Sequence, residues 1–309
     1  MRSRHRELRR VGVGVLFASP WIVGFLALSL YPSLASFYYS FNNVNTLQAP
    51  QWVGLENFQT LFTADPLFWT AVGNTLYFTA ISVPLGIILA LGLALLLNQP
   101  RRGVTIYRAV IYVPVVVPPV VSALTWVWIL NPENGLLNQV LGFLHLPQPG
   151  WFADPNWSKP ALITVTTWAL GGTMVFLLAG LQDVPVHLHE AAMIDGAGAL
   201  RRFRRITLPM LSPVIFYNVV VGVIYSLQYF TQAFVAAGAN CYGGGGNCLG
   251  APLNSTLFYG VYLYQNAFSY FKMGYASAMA WLLFAVTVIA TLLLFRVSAR
   301  LVYYEGGAR

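Results

Sequence analysis

Residues Phe68–Asn98 read FWTAVGNTLYFTAISVPLGIILALGLALLLN, a run without Asp, Glu, Lys or Arg. About 20 mostly apolar residues in one helix cross the hydrocarbon core of a bilayer, so this run is long enough to span it. It must be helical, because a backbone in lipid has to satisfy its own hydrogen bonds. Five further segments meet the same requirement: Val11–Tyr38, Tyr107–Leu130, Ala161–Gln182, Pro213–Ala236 and Met273–Phe295. Arg108, at the mouth of the third run, is the one charged residue in all six. Strands of a membrane barrel would alternate in polarity over about ten residues, and no such alternation is present.

The whole composition agrees with this local reading. Of 309 residues 57% are hydrophobic and 8% charged, with a mean hydropathy of +0.64. A soluble domain carries about 25% charged residues, so a chain of this composition needs an apolar surround. A soluble enzyme, a disordered chain and a disulfide-framework secreted protein are excluded. The net charge of +8 does not mark a nucleic-acid binder, because the basic residues take up a topological pattern. Arg2, Arg4, Arg6, Arg9 and Arg10 precede the first span, and Arg101, Arg102 and Arg108 fall between the second and third. Arg201, Arg202, Arg204 and Arg205 fall between the fourth and fifth, and Arg296, Arg300 and Arg309 follow the sixth. The other side holds only Lys159 and Lys272. By the excess of Lys and Arg on cytoplasmic loops, both termini are expected in the cytoplasm. The apolar core of a cleavable signal peptide runs only 7–15 residues, so the longer first run reads as an uncleaved span.

The loops expected outside, about 42–67, 131–160 and 238–272, are rich in Asn, Gln, Gly, Pro and Trp. Short amphipathic pieces at Leu55–Phe62 and Gly135–Leu144 are expected to lie along the interface. The only cysteines, Cys241 and Cys248, flank a Tyr-Gly-Gly-Gly-Gly-Asn turn in the third of these loops. Outside the cytoplasm disulfides persist, and a local Cys241–Cys248 bridge is expected over free thiols. No His stands nearby to make a metal site, and no metal or catalytic set is expected anywhere in the chain.

The most informative soluble stretch is Asp183–Pro213, DVPVHLHEAAMIDGAGALRRFRRITLPMLSP. Pro185 can open a helix at its first turn, and Leu188, Ala192, Asp195 and Ala199 follow at helical spacing. Gly196 and Gly198 interrupt that helix, and Leu208-Pro209 begins the next span. A plain basic loop accounts for the arginines. It does not account for Glu190-Ala191-Ala192, Asp195-Gly196-Ala197 and Ile206-Thr207-Leu208-Pro209 at this spacing.

This segment closely resembles the EAA loop of binding-protein-dependent ABC importer permeases. The likeness extends through about residues 68–305, nearest to the sugar permeases related to those for maltose and lactose. Gln228–Phe234 and Met273–Ala278 carry it as well. The resemblance implies an all-α integral membrane protein of the type I importer permease kind, six spans in one domain over 1–309, with 183–213 as the coupling segment. It implies that Glu190, Ala191, Ala192, Asp195, Gly196, Leu208 and Pro209 form the joint with a cytoplasmic ATPase. It places the transport path at Thr173, Tyr225, Ser226, Gln228 and Tyr229, each of which is as readily a helix–helix hydrogen bond when taken singly. Implied partners are a second permease in a heterodimer, two ATPase subunits and an extracytoplasmic binding protein, in a bacterial or archaeal plasma membrane. The chain binds no cofactor itself. A P-loop needs Gly-Lys before Ser or Thr, and the only lysines follow Ser158 and Phe271, so ATP and Mg belong to the partners. Two alternatives stay open: an ion-coupled carrier, disfavoured by the absence of intramembrane acids, and an importer of polyol or glycerol phosphate.

Overall fold

Long apolar runs do fold as helices, but three of them are interrupted where the chain lines a cavity. The computed structural model describes residues 2–44, 49–100, 102–239 and 248–302. Cys241 lies outside the described residues, so the expected bridge to Cys248 stays an expectation.

The described residues form two compact units, one holding Met1–Asp65 with Leu263–Leu282 and the other Pro66–Tyr262 with Leu283–Arg309. In the first unit α1 (Arg2–Phe25) runs through a π-turn at Leu26–Leu30 into α2 (Tyr31–Tyr39). A hairpin pairs β1 (Asn42–Asn43) antiparallel with β2 (Gln51–Trp52), Asn42 opposite Trp52, and leads to α3 (Glu56–Thr63). Asn57 Nδ2 ties this region together, donating to the carbonyls of Ser40 at 2.9 Å and Asn42 at 3.0 Å. A Cβ on Gly274 would lie 2.0 Å from the Asn42 carbonyl oxygen, so only glycine lets the two backbones meet. The Tyr275 hydroxyl donates to the Asp65 carboxylate.

The second unit opens with α4 (Pro66–Leu97), which continues through Pro84, and α5 (Val104–Val116) followed by α6 (Pro119–Ile129). Outside the apolar runs come α7 (Leu136–Phe143) and a 3₁₀ turn at Trp151–Ala153. The chain returns through α8 (Pro155–Trp168) and α9 (Gly171–Gln182), then leaves by α10 (Val186–Ile194) and α11 (Ala199–Arg202). A π-turn at Phe203–Thr207 leads into α12 (Leu208–Leu227), and α13 (Thr231–Ala239) completes that run. Later come α14 (Tyr259–Tyr264), a π-turn at Gln265–Ser269, and α15 (Met273–Leu301), which continues from one unit into the other.

Four helical runs are each long and apolar enough to cross a membrane: Val13–Tyr39, Pro66–Leu97, Ala199–Gly238 and Met273–Ser298. Two further apolar runs are bent pairs, α5 with α6 at 101° and α8 with α9 at 51°. The first bend has a local cause. A residue before proline is pushed out of the helical region, and Val117 and Pro118, both preceding prolines, are extended, at ψ 126° and 139°. The second bend brings the start of α9 against α5. A Cβ on Gly171 would lie 2.5 Å from the Ile111 carbonyl oxygen and 2.8 Å from Tyr112 Cα.

The core of this unit joins Ala90, Ala94 and Leu97 of α4 to Met174, Leu177, Leu178 and Leu181 of α9 and Leu211 of α12. Alanines on α4 let the helices approach closely, as small residues do where lipid removes the hydrophobic drive to associate. The lone charge of the apolar runs is accounted for here. Arg108 Nη2 donates to the carbonyl of Leu97 at 2.7 Å, capping the final residue of α4. A cation suits this end, where unpaired carbonyls collect.

Candidate functional site

The helix breaks converge on one cleft of ≈ 540 Å3. Pro119, at the α5–α6 bend, lines it, as do Ala169 and Leu170 at the α8–α9 bend. Gln228, Tyr229 and Phe230, between α12 and α13, line it too. Non-helical backbone at membrane depth is tolerated where it borders a cavity, because the freed peptide groups can be satisfied there.

All five residues expected on the path, Thr173, Tyr225, Ser226, Gln228 and Tyr229, border this cleft. Their environments differ. Ser226 is buried and donates back to the Val223 carbonyl at 3.1 Å. Tyr229 is 8% exposed, stacked on Phe78, with its hydroxyl 3.4 Å from Thr166 Oγ1. Thr166 donates to the Leu162 carbonyl, and Asn218 donates to that of Val214. Ser226, Thr166 and Asn218 thus bond back to carbonyls of their own helices, whereas the Tyr229 hydroxyl meets Thr166 of α8. No side-chain hydrogen bond joins Thr173, Tyr225, Gln228 or Gln232 to another described residue, so their polar groups are available in the cleft.

A further part of the lining comes from α4, whose contribution sequence reasoning missed: Phe78, Ser82, Val83, Gly86 and Ile87. Phe78, Ser82 and Gly86 share one helical face at i, i+4 spacing, but in so uniformly apolar a run only the fold shows that this face is the buried one. A Cβ on Gly222 would lie 3.2 Å from Val83 Cγ1, so α12 seats closely against that wall. Neither Asp, Glu, His, Lys nor Arg lines the cleft among the described residues. Aromatic faces beside neutral hydroxyl and amide groups suit a ligand with both apolar faces and hydroxyl edges.

The EAA segment folds as a short exposed helix. Pro185 sits at its N-cap, and Asp195 caps its other end. Gly196, at φ 74°, ends it in the left-handed conformation that favours glycine. The helix ends where the glycines are expected to interrupt it, and Ala199, in register with it by spacing, opens α11 instead. Glu190, Ala191, Asp195 and Gly196 are exposed and Ala192 is partly so. Val186, Met193, Leu200 and, at 88% exposure, Ile194 are apolar side chains of this segment left uncovered among the described residues. Leu208, itself exposed, and Pro209 begin α12. Among the described residues no group of three His, Cys, Asp or Glu side chains is placed to hold a metal ion.

A helical chain whose apolar runs break around one neutral cleft, and which presents a separate exposed helix, has the make-up of a membrane transport subunit. The chain belongs to the binding-protein-dependent transport system inner membrane component family, whose model matches residues 82–303. It is 37% identical, over 98% of its own length and 96% of the relative's, to the probable ABC transporter permease protein YesP of Bacillus subtilis. It is 33% identical to the sulfoquinovosyl glycerol transport system permease protein SmoG of Agrobacterium fabrum, over 92% and 90% of the two chains. Its fold matches a chain of a bacterial ABC transporter that imports alginate, with a TM-score of 0.82 at 22% identity, covering 97% and 100% of the two chains. The protein is therefore a multi-pass inner-membrane permease with the type I importer fold, a transport subunit and not an enzyme.

Proposed function

We propose that this chain forms, with a second permease, the path by which a sugar or oligosaccharide enters the cell from an extracytoplasmic binding protein. Two cytoplasmic ATPase subunits supply the energy and hold the ATP and Mg. In this reading the bent pairs each count as one span, giving six in a single permease domain with both termini in the cytoplasm. Relatives named for sugar-derived cargo, SmoG among them, support the substrate class, and so does the cleft lined by aromatic and neutral polar groups.

The observation that carries the mechanism is the course of α12. One end follows α10 and α11 through the π-turn at Phe203–Thr207, and the other supplies Tyr225 and Ser226 and leads into Gln228 and Tyr229. The ATPase joint is formed by α10, with Glu190 making polar contacts and Ala191, Ala192 and Gly196 allowing close approach. Closure of the ATPase pair then moves α12 as a rigid lever, and the cleft opens to each side in turn, a packed-interface transition rather than a continuous deformation. Thr173, Gln228 and the Tyr225 ring meet the substrate, while Ser226 and Tyr229 hold the wall that they face. A Cys241–Cys248 bridge would close the outer Gly-rich turn.

Uptake by the reconstituted transporter tests this. Glu190→Arg should abolish ATP-driven uptake and weaken ATPase retention while membrane insertion is unchanged. Gln228→Ala should alter transport with ATPase retention intact. Uptake that survives Glu190→Arg, or that follows an ion gradient without ATP, refutes the reading.

A further inference from the structure

Helix α7 exposes an apolar stripe and buries an asparagine. Its exposed side carries Leu136, Val140 and Phe143, spaced i, i+4, i+7, at 62%, 46% and 84% exposure. Its inner side carries Asn138, which is 3% exposed. The Asn138 carboxamide donates to the carbonyls of Pro132 at 3.0 Å and Pro149 at 3.1 Å, and accepts the Trp151 indole N–H at 2.7 Å. Gly142, on that same inner side, lies so close to Gln148 that a Cβ would come within 2.2 Å of Nε2. A helix at a water-facing surface turns its polar side outward and its apolar stripe inward. This helix instead exposes three apolar side chains beside Gln139, while its buried asparagine, flanked by half-buried Leu137 and Leu141, has its amide fully hydrogen-bonded.

The surroundings identify what covers the outer stripe. Between Asn134 and Ala153 there is no Asp, Glu, Lys or Arg, so the stripe can meet hydrocarbon without taking a charge with it. The helix before it, α6, likewise exposes Val120, Val121, Leu124 and Trp128. Trp128 and Trp157, exposed on the helices before and after it, are the residue type that collects at the membrane–water boundary.

We propose that α7 lies in the bilayer interface, with Leu136, Val140 and Phe143 turned into lipid. On the topology proposed above, this is the outer leaflet. The anchored helix holds the turn that precedes it, Asn131–Asn134, at the membrane surface. That turn and Phe152 line a separate cavity of ≈ 660 Å3.

The test uses the whole transporter, with its partner subunits, in lipid nanodiscs. Bimane is attached in separate proteins carrying Leu136→Cys, Phe143→Cys or Asn134→Cys, and the unsubstituted protein gives the labelling background. Interfacial helices sink about 5–10 Å into the headgroup–acyl boundary. Lipids brominated near the glycerol end of the chain should therefore quench the labels at 136 and 143, while aqueous iodide should quench the label at 134. Iodide quenching at 143 equal to that at 134 overturns the proposal, because the stripe would face water. Labels at 136 and 143 that neither quencher reaches also overturn it, because a protein partner would cover the stripe. Quenching by lipid occurs from either leaflet, so the orientation can fail while the lipid contact stands.

Discussion

The ring of Tyr229 lies against that of Phe78, with centroids 4.2 Å apart and planes 28° from parallel. Phe258 meets both rings edge-on, at 5.4 Å from each. Phe78 and Tyr229 thus line the cleft with Phe258 packed on both, and Tyr229 serves the cleft wall through its ring more than through its hydroxyl.

Tyr229→Phe should therefore leave stability and uptake near those of the parent, because the 3.4 Å contact with Thr166 is a weak hydrogen bond. Tyr229→Ala should destabilise the protein by about 3–5 kcal/mol, the usual result of removing a large buried ring. Thermal unfolding in detergent compares the two. A loss in Tyr229→Phe as large as in Tyr229→Ala would move the role from the ring to the hydroxyl.

Gly171 offers a test of the α8–α9 bend. A methyl group there meets backbone of α5 at 2.5 and 2.8 Å, and backbone cannot swing aside as a side chain can. Gly171→Ala should cost about 1–3 kcal/mol through overpacking, whereas Gly172→Ala, whose Cβ would meet only Val115 Cγ1 at 3.9 Å, should cost much less. Equal losses in thermal stability at the two positions would remove the close approach as the reason for the break.

The helical runs were legible because lipid imposes a simple demand, length and apolarity, that each run meets by itself. The α5–α6 bend was legible in part, since Pro118-Pro119 forces extended backbone, although prolines at 84 and 114 sit inside unbroken helices. The break after Leu227 was not. Leu-Gln-Tyr-Phe-Thr at 227–231 contains neither Gly nor Pro, and only the tertiary cavity explains why the chain stops being helical there. The candidate cleft was half legible for a similar reason. Polar residues in an apolar run stand out by type, whereas Phe78 and Gly86 belong to the wall by position alone. Asn138 stands in α7 as any loop asparagine would, and its three hydrogen bonds arise from residues up to thirteen positions away.

Asn74 is a second buried amide with its hydrogen bonds filled. Its Nδ2 donates to the carbonyls of Asn254 at 2.8 Å and Leu257 at 3.0 Å, and its Oδ1 accepts from Lys159 Nζ at 3.0 Å. The segment around 254–257 is thereby sewn to α4, with Phe258, which packs on Phe78 and Tyr229, next along the chain. Asn74→Asp keeps the acceptor for Lys159 but loses both donors, leaving buried carbonyls without them at about 1–3 kcal/mol. Asn74→Asp should thus lower the melting temperature almost as far as Asn74→Ala. If aspartate preserved stability, the lysine contact and not the two carbonyls would be holding the segment.

The exposed apolar side of α10 makes a further prediction about where energy enters. Ile194 is 88% exposed, one turn beyond Glu190 on a helix that buries none of its residues against the rest of the chain. An isolated helix this short is marginal in water, so α10 gains order from whatever covers Val186, Met193 and Ile194. Interface energy concentrates in a few well-packed central residues, each worth about 2 kcal/mol or more on truncation. If the proposed ATPase joint is this surface, Ile194→Ala should weaken ATPase retention at least about tenfold, while Ile194→Leu should retain it. Arg201→Ala, a change of charge on α11 that leaves the apolar patch intact, should have little effect at moderate salt, where exposed charges are screened. Co-purification of the ATPase from detergent across a dilution series measures all three. Retention that tracks Arg201 rather than Ile194 would make the joint electrostatic, and the apolar face of α10 would then need a different occupant.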